Sequence, residues 1–444
     1  MTDRRDRSVL AGSFWLADDD ERRVHGRLNL AEGASPRLEL DQLVTPALVE
    51  IDRQEQPEGT RTLVFAEDGP AHESLVVHGI LDDGSLVTLE EAFTAGRKHT
   101  RGGRDQQVLQ ARSAVLGGHV GGRDELYTHM RLRLRHLDAW AALPGLALEN
   151  DPRQRRVTLA FRGSEPSPVS LQDGGRLDLE QEPEIEFSQV RGGRIGSVVW
   201  LRAIDLPPMT ADDLDRRFVT PLSSLLTLAT DTDCPPVAVE VATASDQPWL
   251  TMHHSGLRAP AEEVRPTHRQ LLPLAILGLD RVATWLNAVE HLGPLPPVVA
   301  AAVAGPGRTL ETQLLELTTV AEGLHQRVFP GSCSFRQRLH KLAEYVEPAM
   351  PGITGQTNCW KQHVTAIRHE FAHRDYGFLE TARIDELLAV LQSLRWLLTG
   401  LLLLRTGLPP AELAARVNGH QPYILFRQQA HEWLPRVFQA PTDQ

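Results

Sequence analysis

Ile367-Arg368-His369-Glu370-Phe371-Ala372-His373 is the stretch on which the reading of this 444-residue chain turns. It sets Arg368 five residues before His373, with polar His369 directly after the arginine. A guanidinium can hold and neutralise a phosphate, and an imidazole can move a proton near neutral pH. Together they supply what RNA cleavage requires without a metal ion.

Working outward from the motif, apolar residues recur at helical steps. Residues 308–329 carry Leu310, Leu314, Leu317, Ala321, Leu324 and Val328 at three- and four-residue spacing and read as one helix. Pro330 and Gly331 end it, and Ser332 or Ser334 can cap a second helix bearing Phe335, Leu339, Leu342 and Val346. Pro348, Pro351 and Gly352 break the chain before a third helix, which carries the motif to His373. A turn is expected over 375–377, then a long apolar helix over 381–405. Four to five helices with short connections make a bundle. Residues 387–404 have the length and apolarity of a membrane span, but Gln392, Ser393 and Arg395 interrupt them. A central Arg costs about 2.5–3.5 kcal/mol on an insertion scale, so a buried bundle helix is expected and no membrane partner.

The first half alternates with period two instead. Residues 23–30, 75–80 and, less strictly, 108–115 read as strands, and Asp82-Asp83-Gly84 is a hairpin turn signal. Further strands are expected over 131–136, 156–161, 185–188 and 195–203, which suggests antiparallel sandwiches or barrels. Beyond residue 210 come a helix over 211–228, a strand over 237–241 and a helix over 271–286. Pro294, Pro296 and Pro297 mark the approach to the bundle.

The motif and its helical setting resemble the HEPN superfamily of ribonucleases, whose signature is an Arg, a following polar residue and a His four residues beyond that. His369 stands where catalytic members most often have Asn. Near the other end, Gly12-Ser-Phe-Trp-Leu16, residues 21–30 (ERRVHGRLNL) and residues 79–93 (GILDDGSLVTLEEAF) resemble ApeA-type anti-phage defence proteins. In that family a β-rich domain precedes a HEPN domain. The resemblance implies an α+β multidomain chain: a β-rich N-terminal domain over 1–207, a mixed helical and strand segment over 208–300, and an all-α HEPN helical bundle over 301–444.

It also implies an anti-phage endoribonuclease of the abortive-infection type, with transfer RNA or other host RNA as substrate. A homodimer through the HEPN domain and a phage-derived trigger come with it. The catalytic residues would be Arg368, His373 and His369. The 2′-OH would attack the adjacent phosphorus, leaving 2′,3′-cyclic phosphate and 5′-OH ends. His369 has a plainer reading, facing solvent or pairing with a carboxylate. Glu322 and His325 are expected on a solvated helix edge, and His363 lies about 80° off the stripe shared by His369 and His373. Asp375 and Tyr376 either orient His373 or simply end the helix. His253 and His254 are read as structural. A HEPN scaffold that binds RNA, nucleotide or a protein partner without cutting, and a sensor whose bundle only dimerises, remain as alternatives.

Composition fits a cytoplasmic protein without a cofactor or metal. Cys234, Cys333 and Cys359 have neither disulfide nor zinc spacing, and the opening MTDRRDRS lacks the apolar run of a signal peptide. The net charge is −12, yet residues 308–444 hold 14 Lys and Arg against 13 Asp and Glu. The acidity therefore lies in the first part, and the helical part must meet RNA through a local cluster.

Overall fold

Phe14 dictates what can stand opposite it. In the computed structural model it faces Gly79 across an antiparallel pair, and a methyl group added at Gly79 would stand 2.5 Å from the Phe14 ring. Only glycine lets the ring fill that space. The structure describes residues 8–45, 48–55, 61–67, 74–98, 105–120, 126–151, 153, 156–163, 167–188, 192–258, 270–305, 308–373 and 384–439.

The strands run β1 (Val9–Leu16), β2 (Asp19–Asn29), β3 (Arg37–Leu40), β4 (Leu48–Glu55), β5 (Arg61–Glu67), β6 (Leu75–Leu81), β7 (Leu86–Lys98) and β8 (Gln106–Gln110). Then come β9 (Ser113–Leu116), β10 (His129–Leu134), β11 (Leu146–Asp151), β12 (Arg156–Phe161), β13 (Val169–Ser170), β14 (Arg176–Ser188), β15 (Gly192–Ile204), β16 (Pro236–Ala242) and β17 (Leu250–His254). The chain forms two compact units that interleave along the sequence. One comprises Met1–Arg133, Ala203–Asp213 and Pro236–Pro260; the other comprises Leu134–Arg202, Leu214–Pro235 and Ala261–Gln444.

In the first unit, β7-β6-β1-β2-β3-β8 are hydrogen-bonded in that order, and β8 also pairs with β7. Six antiparallel strands thus close into a barrel, which leaves no open edge between them. Its interior is one buried cluster that includes Phe14, Val24, Leu28, Leu38, Leu40, Val77, Val87, Leu89 and Leu109. These are the inward members of the alternating strands, each stabilising the closed state by about 1.5–3 kcal/mol. β9, β17, β16 and β10 continue the sheet from β7, and β4 pairs with β5 as a separate hairpin. The expected turn joins β6 to β7: Gly84 takes φ of 85°, and the Ser85 amide donates to the Asp83 carboxylate at 2.9 Å. The strand expected over 108–115 is instead two. The Ala111 and Arg112 amides bond to Pro36 and Glu90, so β8 and β9 leave in different directions.

The second unit holds the β11–β12 hairpin, β13–β15 and most of the helices. In chain order the helices are α1 (Leu137–Ala141), α2 (Ala211–Leu214), a π turn over Asp215–Val219, α3 (Thr220–Thr230), α4 (Leu274–Leu277), α5 (Leu279–Leu292) and α6 (Leu295–Ala304). α7 (Leu310–Val328), α8 (Phe335–Val346), α9 (Thr357–His373), α10 (Ile384–Leu404), α11 (Pro410–Val417), α12 (Gln421–Trp433) and α13 (Pro435–Phe438) follow. Gly278, at φ of 76°, splits the helix expected over 271–286 into α4 and α5. Pro296 and Pro297 sit in the first turn of α6, where a missing N–H costs nothing. Residue 301, the expected start of the bundle, falls inside α6.

Ser334 caps α8 in a reciprocal box with Gln337. α7, α8 and α9 pack on one another, and α10 packs on α3, α6, α7, α8 and α12. α10 is long and apolar enough to cross a membrane, but 83% of its most apolar window is buried inside the protein. The side chains that interrupt it are all bonded there. Ser393 donates to the Ile353 carbonyl at 2.7 Å, and Arg395 reaches Gln392 at 2.9 Å and Asp231 at 2.7 Å. It is a core helix.

Candidate active site

α9 is oriented by Trp360, Val364 and Ile367, which recur at four and three residues and are all buried. Arg368 follows Ile367 by about 100° and therefore emerges at the edge of that stripe. Its side chain is 34% exposed. Nη2 donates to Oε2 of Glu322 on α7 at 2.7 Å, and the guanidinium lies 4.3 Å over the ring of Phe335, the first residue of α8. Arg338 of α8 approaches the other Glu322 oxygen at 3.3 Å and donates through Nε to the Cys333 carbonyl at 3.0 Å. Three helices thus meet at one carboxylate held between two guanidinium groups. A part-exposed ion pair is worth about 0–1 kcal/mol, and the ring contact adds about 0.5–2 kcal/mol. These contacts fix the guanidinium while a third of the side chain stays open to solvent.

Glu322 and His325 are not on a solvated edge. Glu322 is tied to Arg368, and His325 is completely buried because α8 packs across this side of α7. The His325 ring stacks on Phe329 at 5.2 Å, and its Nε2 lies 3.8 Å from Cys333 Sγ. Burial, then the nearby Lys341 and Arg338 charges, lower its pKa.

His369 is exposed on α9, and His373 is the last residue of that helix, with its side chain outside the described residues. Two positions four apart share a helix face, so His369 and His373 lie on one side and Arg368 on another. Asp375, Tyr376 and the expected turn over 375–377 also lie outside the described residues. His363 belongs elsewhere. It is buried on α9 beside Glu386 of α10 (3.7 Å) and Arg436 of α13 (3.4 Å). Burial and Arg436 lower its pKa, and Glu386 opposes them. His253 and His254 end β17 opposite Ala114 and Ser113, and burial chiefly lowers the His253 pKa.

The sequence marks Phe335 only as an apolar helix position and does not single out Arg338, although a signal exists. Residues 323–343 contain four Arg or Lys and no carboxylate, so Arg338 must find its acid outside that stretch. Among the described residues, no three His, Cys, Asp or Glu side chains form a group able to hold a metal ion.

Residues 10–280 match the family model described as ApeA N-terminal domain 1. The chain belongs to the ApeA family. It is therefore an anti-phage defence protein of the ApeA type. The match takes in the whole barrel and extends to the start of α5, short of the helices that carry Arg368. No curated protein and no solved structure matches this ApeA-family chain.

Proposed function

We propose that the helical region of this ApeA-family protein is a HEPN-type endoribonuclease that cuts host RNA, transfer RNA among it, in the cytoplasm of an infected cell. The observation that carries the reading is Arg368, held where three helices meet and part open to solvent, on the helix that ends in His373. In the reaction, the 2′-OH attacks the adjacent phosphorus. The O2′–P bond forms as the P–O5′ bond breaks, the 2′ proton passes to a base and the departing 5′ oxygen takes a proton from an acid. His373 serves one or both transfers, and Arg368 neutralises charge on the phosphoryl oxygens. His369 lies on the same face as His373 and assists it. None of these steps requires a metal ion.

The test is end-labelled RNA incubated with wild type, Arg368→Ala and His373→Ala in EDTA. Wild type is expected to leave 2′,3′-cyclic phosphate and 5′-OH ends, and both variants to be inactive. Activity lost on chelation and restored by magnesium would overturn the chemistry. A second reading has one observation in its favour: Glu322 already occupies the guanidinium that must take the phosphate. On that reading the bundle is a scaffold, and RNA is bound but emerges uncut.

A further inference from the structure

Between Glu322 and Glu344 the chain holds Arg327, Arg336, Arg338 and Lys341, with two histidines and no carboxylate. Three side chains from this part of the fold fall on one face of α8. Arg338, Lys341 and Tyr345 are three and four residues apart, which aligns them on one side of a helix over about 10 Å. One end of the row lies at Arg368, because Arg338 and Arg368 share Glu322. In the middle, Lys341 is exposed, and among the described residues no carboxylate pairs with it. At the far end, Tyr345 is 37% exposed, its ring set edge-on against Phe329 at 5.5 Å.

We propose that this row is the track along which single-stranded RNA reaches Arg368. Lys341 takes a phosphate neighbouring the one held at Arg368, Arg338 adds positive potential, and Tyr345 stacks a base. The proposal rests on the nuclease reading and deepens it by naming the form of the substrate. A cation followed by an accessible aromatic ring suits an unpaired strand, since a base inside a duplex has no free face to stack. The location also resolves how a near-neutral region in an acidic chain can attract RNA: the positive charge is concentrated beside the reacting group.

The test uses the full-length chain with His373→Ala, so that RNA is held without being cut, and a fluorescent single-stranded RNA read by anisotropy. Lys341→Glu and Tyr345→Ala are each expected to weaken binding at least about fivefold, and Tyr345→Phe to retain it. Lys341→Gln, which keeps the side-chain stem, is expected to weaken it less and in the same direction. The salt dependence of binding should fall by about one unit of slope in Lys341→Glu. Arg336→Glu, about 140° round the helix from Lys341, controls for net charge and is expected to change binding by less than about twofold. In the cleaving enzyme, Lys341→Gln should raise KM more than it lowers kcat. If Lys341→Glu and Tyr345→Ala bind RNA as tightly as their parent, the track is wrong and the nuclease reading stands. A parent that binds no RNA, with a wild type that cuts none, overturns both.

Discussion

Arg368 and Glu322 are joined by a 2.7 Å charge-assisted hydrogen bond between α9 and α7. The carboxylate does two things with opposite consequences for RNA. It fixes the guanidinium against Phe335, and it cancels the charge that a phosphate would seek. Which effect dominates decides how Arg368 meets an anion.

Glu322→Gln separates the two. The amide keeps the shape and removes the charge, so Arg368 and Arg338 become available to an anion. Binding of single-stranded RNA is expected to tighten about two- to tenfold, with a salt dependence steeper by about one unit. Stability should drop by about 1–3 kcal/mol, because Glu322 and Arg368 are part exposed but Arg338, nearly buried, loses its charged partner. Weaker binding would mean that Glu322 positions Arg368 for phosphate and does not compete with it.

A deeper ion pair should behave differently. Asp231, after the last turn of α3, receives Arg395 of α10 at 2.7 Å and lies 3.2 Å from His420, with all three side chains nearly buried. Burial works against the Asp231 carboxylate, yet the His420 hydrogen bond and the Arg395 charge outweigh it and hold its pKa below the usual 3.8. Asp231→Asn strands a buried guanidinium and is expected to cost about 3–5 kcal/mol in unfolding measurements. The wild-type contribution is present above pH 3.8 and is lost as pH falls through the lowered folded value. A variant as stable as wild type would show that Arg395 finds another partner.

The same residue shows what a sequence can reveal. Arg395 in an apolar run marks α10 as a protein-core helix, but its partner Asp231 lies 164 positions away and no local pattern points to it. Period two reveals strands, whereas barrel closure depends on β3 meeting β8, where Leu38 pairs with Leu109 far along the chain. The split between β8 and β9 hangs on the Ala111 and Arg112 amides leaving the ladder, which no alternation records. Arg368 could be singled out because its chemistry is carried by a short motif. Its tether could not, since Glu322 and Phe335 come from two other helices. Reading Glu322 as a solvated edge failed because helical period locates a face and not what will cover it.

His325 supplies a pH-dependent expectation. Its folded pKa lies below 6.5, so the unfolded chain binds the proton first as the solution is acidified. Its contribution is intact above pH 6.5 and declines as pH falls from 6.5 toward the lowered folded value. His363 acts in the same direction. Chemical unfolding at about pH 7.5 and about pH 5.5 should show lower stability at the acidic value, and His325→Leu should reduce that difference. An unchanged difference in His325→Leu would assign the pH dependence to His363 or other groups.

Assembly is tested by mixing two dead enzymes. Arg368 and His373 are five residues apart on α9, about 140° round its axis, so a phosphate meets both most simply when they come from two copies facing each other. In a dimer of one Arg368→Ala chain and one His373→Ala chain, one composite site then keeps an intact Arg and an intact His, and the other keeps neither. Random exchange makes about half the dimers mixed, each with one of two sites, so the mixture should recover about a quarter of wild-type cleavage. Labelled RNA and sedimentation measure the two quantities together. If mixed dimers form and stay inactive, each site draws both residues from one chain. Cleavage by a wild-type species that sediments as a monomer would exclude the shared site and leave Arg368 and His373 in their roles.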